Sequence, residues 1–344
     1  MEEDGYLYFR RLVDRNQALR VKTEILTLLR EHHIVKDDGA DDARWSGGPE
    51  PTESEWMAVY DGIDRPGDPK RMGGAAWRQM VTDVGLDVPE LLGVWGYCHT
   101  GEERNLASPD KAKRGEAVAY AKETVDLAAE IGARFVELCA AQPAVPQLPF
   151  PEEPIATLRR HFKDFICEIC EHASPRGITL LLEPLNCYEG IPGVLATVVE
   201  ATNYVEELQL DNLGVQPDNY HMNIGEGFVL QAVQAAGSHI KHYHFNESNH
   251  CMHGTGHTPF KEIVRILKSI DYDGYLAFYM PQTSQQIFES TPGIGSEKGN
   301  PAPIVGGDKR SLHEYLAQPL QLIETIEQTV DAERELYDFT ASRY

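Results

Sequence analysis

The sequence predicts an α/β protein: one (β/α)8 TIM barrel, a single domain over residues 1–344. Three observations predict it. From Leu91 onward, short apolar or β-branched runs alternate with amphipathic helical segments, the pattern of parallel β/α units. The run Ile178–Leu182 is apolar throughout, as expected of a strand covered on both faces. A chain of 344 residues is long enough to close eight such units around a substantial core.

In chain order, Gly5–Phe9 and Trp56–Tyr60 read as the first two strands, with helices over Asn16–Leu29 and Ala75–Val84. Between them Asp37–Pro51 is polar, Gly-rich and without periodicity. Leu91–His99 is the third strand. Ser108-Pro109-Asp110 starts a helix that runs through Ala119, Val125 and Ala129 and stops at Gly132. Arg134–Cys139 is a strand, followed by a loop holding Pro143, Pro146, Pro149 and Pro151 and a helix around Phe162–His172. Four further strands are predicted over Ile178–Leu182, Leu213–Gln216, Ile240–Phe245 and Tyr275–Phe278. Helical patterns over Phe228–Ala236, Phe260–Ile270 and Leu312–Val330 complete the count. The segment Gln282–Arg310 is rich in Gly, Pro and Ser and lacks periodicity. Following the last strand, it is expected at the active face as a lid or a subunit contact.

The net charge of −23 disfavours nucleic acid and anionic membranes as partners. No apolar run reaches transmembrane length and no signal-like core follows Met1, so a cytoplasmic location is expected. Six cysteines in so long a chain do not form a disulfide framework. Cys167-x-x-Cys170 falls in a helical pattern without a second ligand pair, which makes it a coincidence of helix spacing.

Chemistry concentrates at three successive strand ends: Glu183-Pro184-Leu185-Asn186, Asp218-Asn219-Tyr220-His221 and His242-Tyr243-His244. In a barrel these ends converge on the face that carries the active site. Glu, Asp and His together suit Mn²⁺, with Mg²⁺, Co²⁺ and Zn²⁺ as alternatives. Singly, each has a plain structural explanation: a strand-end cap for Glu183, a turn for Asp218. Of His242 and His244, one is expected to face the interior and the other the wall. Recurrence on three consecutive units outweighs the plain explanations.

The ordered set Glu183-Pro-Leu-Asn186-x-x-Glu189, Asp218-x-x-His221-Met-Asn-Ile224, His242-x-His244-x-x-Glu247 and Gly254-Thr-Gly-His257 resembles the ketose 3-epimerases, which are xylose isomerase-like barrels. The resemblance covers Leu91 to Pro281. It implies a divalent metal held by Glu183, Asp218 and His244, with Glu189 and His221 binding the substrate's carbonyl end and hydroxyls. His250, Glu247 and His99 are further candidate substrate contacts. Two positions depart from the pattern: Tyr279 stands where the family has a fourth ligand, a glutamate, and His250 where it has an arginine. Loss of the second carboxylate base leaves Glu183 as principal base. That points to proton abstraction alpha to a carbonyl followed by elimination, as in 3-oxo-glycoside lyases and C-glycoside deglycosidase large subunits, with Tyr279, His221 or His250 as acid. The alternatives are a sugar isomerase or epimerase on a free ketose or aldose, and a non-catalytic metal-binding subunit. Partners implied are a sugar or glycoside and a homo- or hetero-oligomer, with a small second subunit in the latter case.

Overall fold

A computed structural model describes residues 64–66, 74–75, 78–79, 86–94, 106–108, 110–140, 154–250, 253–278 and 312–341. Seven strands follow one another in chain order, every described pairing parallel. They are β1 (Arg65–Pro66), β2 (Glu90–Val94), β3 (Phe135–Leu138), β4 (Thr179–Leu182), β5 (Leu213–Val215), β6 (Tyr243–His244) and β7 (Leu276–Ala277). The first five form one sheet and the last two a second. Parallel bridges Val215↔Ile240 and Asp218↔His244 join β5 to β6.

Helices fill the connections. Helix α1 (Lys111–Ile131) links β2 to β3; Asp110 caps its start, accepting from the Ala112 N–H at 2.8 Å. Gly132 ends it at φ 95°, a left-handed conformation that glycine adopts without a Cβ clash. Helix α2 (Ile155–Ala173) buries Leu158, Phe162, Phe165, Ile166 and Ile169, spaced to line one face. Helix α3 (Val198–Leu208) is capped by Thr197; α4 (Asn219–Gly225) and α5 (Val229–Ala236) follow β5. Helix α6 (Phe260–Ser269) precedes β7. Helix α7 (Leu312–Ala341) lies against α6, with Ile326 and Val330 buried. Lys261 and Arg265 of α6 pair with Glu333, and Lys268 with Asp331, all on the exposed side.

From Arg134 onward the predicted strands are in place but shorter, the last two only two residues each, while β2 begins at Glu90 and residues 95–99 of the predicted Leu91–His99 strand lie outside the described residues. The helix predicted around Phe162–His172 is extended at both ends. The predicted elements Gly5–Phe9, Asn16–Leu29 and Trp56–Tyr60 and the segment Gln282–Arg310 lie outside the described residues, as does most of Ala75–Val84. Strand β1 was not anticipated, because Asp64-Arg65-Pro66-Gly67 reads as a turn. A proline is tolerated there because β1 borders only β2 among the described strands. Cys167 and Cys170 are free and lie on α2, as the helical spacing predicts. Among the described residues no helix is long and apolar enough to cross a membrane.

Candidate active site at the strand ends

Glu183 leaves β4 directly, Asp218 stands between β5 and α4, and His244 ends β6. All three are buried. His244 Nδ1 lies 2.7 Å from Glu183 Oε1 and 3.6 Å from Asp218 Oδ2. Asp218 is fixed from two sides: its Oδ1 accepts from the Tyr220 N–H and its Oδ2 from Asn246 Nδ2, each at 2.7 Å. Burial opposes ionisation of Asp218, but the hydrogen bond to His244 and the imidazoles of His221 and His250 overcome it and hold the carboxyl below its usual range. Burial likewise works against a charged His244, yet Glu183 and Asp218 hold its pKa well above the ordinary histidine value.

Two contacts settle which ring nitrogens face the site. The backbone N–H of Asn186 donates to His221 Nδ1 at 3.1 Å. In the neutral His221 ring the proton therefore sits on Nε2, which leaves that nitrogen a hydrogen-bond donor. Its ligand atom still falls within 4.8 Å of those of Glu183 and Asp218. Gln216 Nε2 lies 2.9 Å from His244 Nε2, while the buried Gln216 Oε1 has no hydrogen-bond partner. Turning the amide over lets Oε1 accept the His244 Nε2–H, so that Nδ1 either donates to Glu183 in the charged ring or offers its lone pair to a cation in the neutral one.

A polar wall lies beside these residues. Glu189 Oε1 accepts from Asn186 Nδ2 at 2.9 Å and the Tyr220 hydroxyl at 3.0 Å. Tyr220 stacks on His250 with ring centroids 4.2 Å apart. Burial pushes the His250 pKa down to about 4, so it is neutral at neutral pH. Glu247, expected among the substrate contacts, is placed differently. Its Oε1 accepts from the Ser248 and Thr258 N–H groups and its Oε2 from the Gly254 N–H, at 2.8, 3.0 and 2.8 Å. Both oxygens are spent closing the loop between β6 and α6. Burial alone would raise its pKa, but these donors bring it below the usual value. Tyr279 and His99 lie outside the described residues.

Beneath the strand ends is a group of acids that sequence reasoning missed. Glu90 opens β2 with 0% exposure, and its ligand atom falls within 4.8 Å of those of Asp64, His242 and His244. His242 Nε2 lies 2.7 Å from Asp64 Oδ2. The expectation that His242 and His244 point to opposite sides is therefore corrected: both rings meet Asp64 and Glu90. Side chains alternate from one residue to the next, so positions two apart share a face. Burial raises the Glu90 pKa to about 7. Glu137, also buried in β3, lies beside Glu183 and accepts from the Cys139 thiol at 2.6 Å. Burial first, and Glu183 second, raise its pKa well above normal. The available signal was a lone acid inside an otherwise apolar strand, in Pro89-Glu90-Leu91-Leu92 and Phe135-Val136-Glu137-Leu138, where an unpaired charge is rare.

Two carboxylates and an imidazole converge at the strand ends, a donor set that fits a divalent cation. Residues 56–297 match the family model described as xylose isomerase-like TIM barrel. Over 207 residues the chain is 30% identical to an L-ribulose 3-epimerase of Mesorhizobium japonicum, covering 60% of this chain and 65% of that protein. It thus matches just under two thirds of that relative's length. Over 120 residues it is 28% identical to a 3-dehydro-D-guloside 4-epimerase of Escherichia coli, covering 35% of this chain and 45% of that one. A solved L-ribulose 3-epimerase superposes with a TM-score of 0.67 at 23% identity, covering 83% of this chain and 93% of that one.

Proposed function

Since the chain belongs to the xylose isomerase-like TIM barrel family, we propose that it is a divalent-metal-dependent enzyme removing a proton alpha to the carbonyl of a keto-sugar or 3-oxo-glycoside. The observation that carries the reading is the convergence of Glu183, Asp218 and His244 at the ends of β4, β5 and β6, with His244 Nδ1 2.7 Å from Glu183 and 3.6 Å from Asp218. A divalent ion held there, Mn²⁺ first among the candidates, would polarise the substrate carbonyl as a Lewis acid.

The remaining roles belong to this chain's side chains. Glu183 takes the alpha proton. The Nε2–H of His221 donates to the developing oxyanion. Glu189 has Oε2 available for a sugar hydroxyl, because Oε1 is occupied by Asn186 and Tyr220. The Tyr220–His250 stack offers a flat face to a sugar ring. With Tyr279 in place of a second glutamate, loss of a leaving group beta to the carbonyl follows abstraction. Tyr279, His221 or His250 supplies its proton. The second reading is epimerisation of the same class of substrate. Glu137, a second buried carboxyl against Glu183, favours it, as do the names of the relatives.

Incubation in heavy water with 3-oxo-glycosides and with free ketoses separates the two. Release of the aglycone supports elimination; deuterium at an inverted carbon, with the skeleton intact, supports epimerisation. Neither process, with full metal occupancy, sinks both. Chelation should abolish turnover and Mn²⁺ restore it. Tyr279→Phe should lower turnover with metal content unchanged if Tyr279 is the acid, and lower both if it is a ligand.

A further inference from the structure

Five successive strands each deliver one buried or nearly buried carboxylate to the barrel interior. Asp64 precedes β1, Glu90 opens β2, Glu137 lies in β3, Glu183 follows β4 and Asp218 follows β5. Against them stand His242 and His244 from β6. Among the residues whose burial is described, no lysine or arginine is buried. Even with Glu137 neutral and both imidazoles charged, carboxylates outnumber cations. An ion at the strand ends widens the gap deeper in, since His244 would give Nδ1 to it and become neutral.

The inner half shows the imbalance directly. Glu90 is 0% exposed, and neither of its oxygens has a hydrogen-bond partner. The nearest ring nitrogens, His244 Nε2 at 3.5 Å and His242 Nε2 at 3.7 Å, are beyond good hydrogen-bond distance. Asp64 Oδ1 and His242 Nδ1 are buried and without hydrogen-bond partners as well. A fully buried carboxylate with neither oxygen bonded is costly unless a cation satisfies it.

We propose that Asp64, Glu90 and His242 hold a second divalent cation inside the barrel, beneath the ion proposed for Glu183, Asp218 and His244. His244 stands between the two, with Nδ1 toward the strand ends and Nε2 toward Glu90. Two carboxylates and one imidazole suit Mn²⁺, Co²⁺ or Zn²⁺ and leave room for water on the ion. The inner ion would neutralise the acids under the site and fix the ring of His244 from below.

The test is metal content, which does not depend on turnover. Full-length protein is stripped with chelator, reloaded with Mn²⁺ or Co²⁺, desalted, and assayed for ions per chain by elemental mass spectrometry. Wild type should carry two. Glu90→Gln and Asp64→Asn should each lose the inner ion and keep one; Glu183→Gln should lose the outer ion and keep one. Asp64 is the less buried of the inner pair, so Asp64→Asn serves if Glu90→Gln does not fold. Saturation of wild type at one ion that survives both inner variants would overturn the proposal and mark the inner acids as neutralised by protons. Two ions retained in both inner variants would overturn it too. One ion lost in Glu90→Gln but not in Glu183→Gln would support the inner site and remove the strand-end one.

Discussion

Glu90 and Glu247 are both buried carboxylates, and the chain treats them in opposite ways. Glu247 sits in a cup of backbone N–H groups from Ser248, Gly254 and Thr258, and its pKa is lowered. Glu90 has no hydrogen bond to either oxygen, and its pKa is raised to about 7. A carboxylate used as a structural clamp is surrounded by donors that its own loop provides. One left bare in the interior is open to a proton or to the inner cation proposed above. Glu183 shares the second character in part: it is buried, and it meets an imidazole that can give way to a ligand.

The largest effect should come from Glu183→Gln, which removes the proposed base and a ligand charge. Turnover should fall at least about a hundredfold with the fold intact by circular dichroism. A fall of less than about tenfold would show that Glu183 is a bystander like any other buried acid.

The comparison itself breaks or holds on pH. Glu90, raised in the folded state, binds its proton more tightly there than in the unfolded chain. It therefore lowers the stability of metal-free protein as pH rises from 4.5 to about 7. In chelator at pH 8, Glu90→Gln should stabilise by on the order of 2 kcal/mol in urea unfolding. Glu247, lowered in the folded state, stabilises above its unfolded value, and that contribution disappears as pH falls through its folded value. Glu247→Gln should cost about 2 kcal/mol at pH 7 and less at pH 3. If both variants shift stability in the same direction at pH 8, the contrast between clamp and bare acid is wrong.

The smallest effect concerns Gln216. Replacing it with leucine frees the His244 ring to turn and should weaken metal binding by about tenfold in calorimetric titration, with kcat at saturating metal little changed. An unchanged affinity would show that Glu90 alone orients the ring.

Much of the architecture was readable because each β/α unit announces itself through periodicity. Leu180–Leu182, for example, is bounded by Gly177 and by the polar cluster at Glu183. Glu183, Asp218 and His244 were readable because strand ends in this fold carry chemistry and their spacing matched a known pattern. The inner acids were not, because what pairs Glu90 with His242 is the closing of the sheet. Strands β2 and β6 are far apart in sequence, and only tertiary structure brings their inward faces together. Gln216 was invisible for a similar reason: in Gly214-Val215-Gln216-Pro217 it reads as the frayed end of a strand. The parity of His242 and His244, by contrast, was available from sequence and was misread.

The attachment of α7 has a consequence for how the molecule comes apart. Among its described side chains Pro319, Ile326 and Val330 are buried and Leu322 and Ile323 partly so, while the polar ties to α6 are ion pairs in contact with water. Such pairs are screened once the Debye length shrinks to about 3 Å at 1 M salt. Concentrated salt should therefore loosen this helix while strengthening burial elsewhere, so that its amides exchange with solvent before those of β2–β5. The last helix is thus a shell whose attachment the ionic medium tunes, on top of an apolar seam that salt leaves in place.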